Sequence, residues 1–190
     1  MGEKRSGEIG DRLSMNKLAR ILALVAYVPL AAQAGWVDET GKPVPDTENM
    51  RSIADFGVHL VLTPDEKRFI QTWNTSKTPP QLFTTDSVHR GSAITAMLIF
   101  HGCAVNSIGK CDVVAEFALV GPDGSRIPGG SGTVWSSEPL PGGRLQLGNA
   151  SMNVGFDHDD QVGNYKVIAI VKDRVSGHTL SLTTMLKVIE

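Results

Sequence analysis

This chain has two cysteines, no run of basic residues beyond its first 34 positions, and no long apolar stretch beyond the one near its N-terminus. Each shortage excludes something. Nucleic-acid backbones are gripped by clustered Lys and Arg, so a chain without such a cluster is expected to have no nucleic-acid partner. A membrane-spanning helix needs about 20 apolar residues, so no transmembrane segment is expected after position 34. The two cysteines, Cys103 and Cys111, have seven residues between them. That spacing is neither the C-x-x-C of a redox motif nor the paired close cysteines of zinc and iron–sulfur sites. No G-x-S-x-G, H-E-x-x-H or Walker sequence occurs, so no nucleophile elbow, zinc-protease motif or phosphate loop is present. No internal repeat is visible either.

What is present begins with "MNKLARILALVAYVPLAAQAGW" from Met15. Lys17 and Arg20 form a basic start, Ile21 to Leu30 an apolar stretch, and Ala32-Gln33-Ala34 a small-x-small triplet, the layout of a secretory signal peptide. An uncleaved anchor is the competing reading, but the apolar run is short for a membrane and Pro29 interrupts it. Residues 1–34 are therefore expected to be leader and signal peptide, with cleavage after Ala34 and either Met1 or Met15 as the start. No cysteine directly follows the apolar run, so lipid attachment there is excluded. The expected mature chain, residues 35–190, is long enough for one domain. Removing Lys4, Arg5, Arg12, Lys17 and Arg20 with Glu3, Glu8 and Asp11 leaves 13 basic and 17 acidic residues. The protein is expected to be exported, periplasmic or extracellular.

Residues 35–56 are polar, hold two prolines and show no sustained period; they predict an extended lead-in. From 57 to 190 short apolar segments alternate and are separated by Gly, Pro, Asn and Asp, the pattern of an all-β domain. Val58, Leu60 and Leu62 share one face, with His59 on the opposite, solvent side. Ile94, Ala96, Leu98 and Phe100 form a second set, and Val113, Ala115, Phe117 and Leu119 a third. Tyr165, Val167, Ala169 and Val171, then Leu180, Leu182, Thr184, Leu186 and Val188, predict a long hairpin across "DRVSG". "PDGS" at 122–125 is a turn, and the Gly-, Pro- and Ser-rich stretch 121–143 predicts a mobile connection holding an isolated Trp135. One segment, 64–73, suits a short helix with Thr63 and Glu66 as a capping box and Pro64 in its first turn; a strand over 68–73 is the alternative. Seven or eight antiparallel strands in this length predict a β-sandwich.

"DDQVGNYKVIAIVKD", from Asp159 to Asp173, resembles the penultimate strand of immunoglobulin-like and macroglobulin-like extracellular domains. Those domains carry an Asp-x-x-Gly-x-Tyr corner in which the tyrosine hydroxyl bonds back to the preceding loop. The resemblance covers about residues 92–190. It implies an Ig-like sandwich with Asp160, Gly163 and Tyr165 as structural corner residues. Val167 stands where an immunoglobulin has its inter-sheet cysteine, so the resemblance extends to the sandwich and not to that bridge.

An even cysteine count in an exported chain predicts a disulfide, Cys103–Cys111, clamping two consecutive strands. A copper or zinc site using His101 beside the cysteines is the alternative. "FDHDDQVG" gathers Asp157, His158, Asp159 and Asp160, which suit calcium by chemistry but not by EF-hand spacing; a solvated acidic turn is the plain reading. His59, His89, His101, His158 and His178 are scattered, as expected of surface residues. Asn74 and Asn149 begin glycosylation sequons by pattern, which carry no meaning in a bacterial chain. Trp36, Trp73 and Trp135 would form a carbohydrate platform only if they met on one face. The function expected is that of an exported binding or accessory module without catalytic machinery or cofactor. Its expected partner is another exported or envelope protein, met through loops 121–143 and 157–163. The alternative is a small periplasmic metal-binding or hydrolytic protein using His101 and the Asp157–Asp160 loop.

Overall fold

The computed structural model describes residues 35–38, 40–75 and 81–190. The expected signal peptide and its cleavage triplet lie outside these residues. Nine strands occur among those described, in two sheets packed face to face. The first sheet orders β1 (Met50–Ile53), β2 (Phe56–Thr63), β4 (Ala93–His101) and β7 (Gln146–Gly155). The second orders β3 (Ser87–His89), β9 (Thr179–Ile189), β8 (Gly163–Asp173), β5 (Val113–Val120) and β6 (Arg126–Trp135). All pairings are antiparallel except the short β3 on β9. The sandwich thus has more strands than the seven or eight expected. β1 and β3 are too short to show an alternating pattern, and β6 is masked by its composition.

Period-2 alternation builds the core, because it sends every second side chain to the inner face. Val58, Leu60, Ile94, Leu98 and Phe100 from one sheet meet Val113, Ala115, Val167, Ala169, Leu182 and Leu186 from the other, all buried. Tyr165 pairs with Leu186, Val167 with Thr184, Ala169 with Leu182 and Val171 with Leu180, so the C-terminal hairpin keeps one register throughout.

The helix is α1, Glu66–Thr75, so 64–73 is not a strand. Its start differs from the Thr63 capping box. Asp65 is the cap: its Oδ1 accepts from the Arg68 N–H at 3.0 Å, its carbonyl accepts from Phe69 N–H at 3.0 Å, and Glu66 opens the first turn. Thr63 instead takes the Asp65 N–H on its hydroxyl at 3.2 Å, turning the chain ahead of Pro64. A side-chain oxygen bonding the third helical N–H is what a cap must supply, and Asp65 stands three residues before Arg68.

α1 lies on the outer face of the first sheet. Phe69 is fully buried against Val61, Met97 and Ile99, with Trp73, Leu82 and Leu147 at the rim. This second core explains why β2 and β4 are buried on both faces, which simple alternation does not anticipate. Residues 121–143 are not one mobile connection: 126–135 form the edge strand β6, paired to β5 with register shifts beside Val113 and Glu116. Pro128 and its neighbouring glycines look like a loop in sequence, but an edge strand with bulges accommodates both.

Candidate functional site

Four places hold the residues singled out by sequence, and the structure keeps them apart. Cys103 and Cys111 are bonded to each other and buried; they clamp the turn between β4 and β5 and have no thiol to offer a metal. His101 ends β4 on the outer face of the first sheet. Its ring stacks edge-on beneath Trp36, centroids 4.8 Å apart, and lies so close over Gly57 that a Cβ there would collide with Nε2. At 8% exposure its Nε2 has no hydrogen-bond partner. Burial holds the imidazole below its ordinary value, with the Asp55 backbone and carboxylate working the other way. His59, expected on a solvent face, also sits beside Trp36, 6.0 Å between centroids, with Asn49 Nδ2 3.3 Å from its Nε2. Burial lowers its pKa too. The lead-in segment is what covers these histidines.

The acidic loop is at the other end of β4. Gly91 N–H donates to Phe156 O, and the His158 ring packs over Gly91. The length of β4 separates this loop from His101 by about 25 Å at the rise of a strand, so no single site unites His101 with Asp157, His158 and Asp159. Among the described residues, no group of three or more His, Cys, Asp or Glu side chains is placed to hold a metal ion. Asp160 Oδ2 accepts from the Asp157 N–H at 2.6 Å, and the Tyr165 hydroxyl donates to Gln161 O at 2.7 Å. Burial raises the Tyr165 pKa, helped by the negative charges of Asp160 and Asp123. Gly163 has φ +144°, where a Cβ would also press on Pro122 at 3.0 Å, so a glycine suits the close approach of loop 157–163 to turn 121–125. Asp160 and Tyr165 thus bond within this loop, while the Asp157, His158 and Asp159 side chains are exposed.

The fourth place was not assembled from the sequence. Trp73, on the second turn of α1, and Trp135, ending β6, line one groove of about 410 Å³ between the helix and the start of β7. Ile70, Met97, Leu140 and Leu147 supply its apolar wall; Glu66, Asn74, Asn149 and Ser151 its polar one. Trp135 is fixed by its tilted contact with Phe100, 5.8 Å between centroids, and by its indole N–H donating to Glu138 O at 3.1 Å. Gln146 reaches the groove from below. It pairs with Phe100 after an irregularity in which β7 advances four residues while β4 advances two. It is 2% exposed, and its carboxamide oxygen has no partner among the described residues. A buried carboxamide oxygen left unpaired costs on the order of 1–3 kcal/mol. Nothing in the sequence pattern announces Gln146; the only available signal was a polar residue opening an otherwise alternating strand.

No protein-family model matches this chain, and no curated protein matches it in sequence. Among solved structures, it is similar to a family 123 glycoside hydrolase from Clostridium perfringens, at 10% identity and a TM-score of 0.40, over 70% of this chain and 27% of that one. It is also similar to Spo0M, a sporulation control protein from Bacillus subtilis, at 12% identity and a TM-score of 0.36, over 56% of this chain and 46% of that one. The chain thus spans about a quarter and just under half of those two proteins, and at these values neither likeness bears on what it binds.

Proposed function

We propose that this protein is an exported, Ig-like β-sandwich that acts by binding rather than by catalysis, and that the groove between α1 and β7 is its recognition site. One observation carries the reading: Gln146 is buried at the base of a groove bracketed by two tryptophans, with its carboxamide oxygen unpartnered. Buried polar atoms are paired in folded proteins, and a bound ligand is what would pair this one. The loops 121–125 and 157–163 are weaker candidates, because Asp123, Asp160 and Tyr165 are used in bonds within those turns and no buried polar atom there is left unpaired.

Two further features support the rest of the reading. The orders β2-β4-β7 and β9-β8-β5-β6 follow the A-B-E and G-F-C-C′ arrangement of immunoglobulin-like sandwiches. A disulfide persists in an oxidising compartment, which agrees with the leader before Gly35. The metal-binding or hydrolytic alternative has no grouped ligands behind it among the described residues.

The test has two arms. Mass spectrometry of the exported protein is expected to give a chain starting at Gly35 with both cysteines oxidised; a retained leader or two free thiols would sink the exported reading. N-bromosuccinimide oxidation, followed residue by residue, is expected to show Trp73 and Trp135 protected when envelope extract is added. Protection absent at both tryptophans would remove the groove as the recognition site.

A further inference from the structure

We propose that the Trp73–Trp135 groove takes a neutral saccharide, one or two sugar rings in length. This rests on the groove being the recognition site and names the chemistry of its ligand. The lining sets three conditions. Among the described residues it contains no Lys, Arg or His, and the one ionisable group there is the Glu66 carboxylate. Those residues offer an anionic ligand such as a phosphate, sulfate or uronate no counter-charge. The walls combine two half-buried indoles with carboxamides at Asn74, Asn149 and Gln146 and the Ser151 hydroxyl. Sugar rings present that same pair of surfaces: a C–H face that lies on an aromatic plane, and vicinal hydroxyls that both donate and accept. The volume, about 410 Å³, falls at the small end of ligand sites, which suits a short saccharide segment and not a bulky body.

An extended peptide is the rival, since β7 ends its sheet and an edge strand invites a further strand. β6 of the facing sheet packs closely on the inner face of that strand. A Cβ on Gly148 would come 2.8 Å from Val134 Cγ1, and one on Gly132 would come 3.3 Å from the Ala150 Cβ. Those contacts lie on the inner face of β7, so a peptide strand added at its edge remains the rival that the hexapeptide below tests. The Gln146 carboxamide oxygen is an acceptor, so the ligand brings a donor; a hydroxyl does this without needing a strand register.

The experiment uses the mature protein and intrinsic tryptophan emission. The probes are neutral trisaccharides of glucose, galactose, mannose and N-acetylglucosamine, a trigalacturonate, and an uncharged hexapeptide. At least one neutral trisaccharide is expected to shift emission saturably, and the galacturonate and peptide are expected not to. Trp135→Ala and Gln146→Met are each expected to weaken that binding about tenfold or more, the loss typical of an anchor residue. Gln146→Met separates binding from folding: removing an unpartnered buried oxygen while keeping the volume is expected to leave Tm equal or higher. The proposal is overturned if no neutral trisaccharide binds, if the peptide binds instead, or if binding survives both substitutions unchanged. Tryptophan protection by envelope extract without any saccharide response would overturn the ligand class and leave the groove standing. Protection by neither would remove both.

Discussion

Asp173 shows how much a single residue can do in this fold without being noticeable in sequence. It ends β8 and is fully buried. Its Oδ2 accepts from the Ala104 N–H at 2.8 Å and the Ser176 hydroxyl at 2.8 Å, and its Oδ1 from the Val175 N–H at 3.0 Å. The carboxylate therefore shapes the β8–β9 turn and ties it to the disulfide loop 69 residues away. Replacement by alanine leaves several donors without an acceptor in a dry place, so Asp173→Ala is expected to lower unfolding free energy by about 3 kcal/mol or more. Urea unfolding of the variant checks this, and a loss under about 1 kcal/mol would mean the network is dispensable. In sequence, "DRVSG" is legible as a turn because Asp, Ser and Gly are turn residues. The burial of Asp173 is not legible, because its second partner comes from a loop that only the folded chain brings near. Gln146 escapes for the same reason: its surroundings are made by Phe100, Trp135 and a register irregularity, none of which leaves a local mark.

At the scale of elements, legibility follows length and burial on one face. β8 and β9 alternate over eleven residues each and are plain in the sequence. β4 is plain too, although its outer face is apolar because α1 covers it. β6 is the opposite case: an edge strand whose outward residues are Gly, Ser and Pro gives the composition of a loop. The helix is legible in place but not in its cap, since Thr63 and Asp65 are both capping residues and only the Arg68 N–H decides between them. Asp65→Ala is accordingly expected to cost about 1 kcal/mol. Thermal melts followed by far-UV circular dichroism test the assignment, and no loss in this variant would return the cap to Thr63. The disulfide acts on the next element boundary. Closing so short a loop is worth about 2.6 kcal/mol in the chain-entropy model. Reduction of the native protein is expected to lower its unfolding free energy by that amount, and reductant is expected to leave a Cys103→Ala/Cys111→Ala chain unmoved. An equal response of both chains to reductant would show that the effect does not come from this bridge.

At the scale of the whole molecule, the lead-in is part of the fold rather than an approach to it. Gly35 N–H donates to the Ser52 hydroxyl at 3.1 Å, the Trp36 indole N–H donates to Arg51 O at 3.2 Å, and Trp36 itself is buried over His59 and His101. Polar composition predicts an extended lead-in, and one tryptophan near its start anchors it. Covering those two imidazoles has a consequence for pH. Both have folded pKa values lowered from 6.5, principally by burial. When pH falls below about 6.5, the unfolded chain takes up protons at both positions and the folded chain resists, so stability drops as protons are bound preferentially by the unfolded state. Above that pH both forms are neutral there and the contribution is flat. Asp38 and Asp123 do not interfere, because their pKa values are lowered from 3.8 by hydrogen bonds from Thr40 and Ser125; what they add is lost only at more acid pH. Of the groups around the imidazoles, the Asp55 backbone and then its charge oppose the shift at His101, and Asn49 beside His59 is neutral. The native protein is therefore expected to lose stability steadily from pH 7 to pH 5 at constant ionic strength. A His59→Gln/His101→Gln chain, though less stable at pH 7, is expected to show a distinctly shallower slope over the same interval. Urea midpoints at half-unit steps measure both slopes, and parallel slopes would place the acid sensitivity elsewhere in the molecule and leave Trp36 as packing alone.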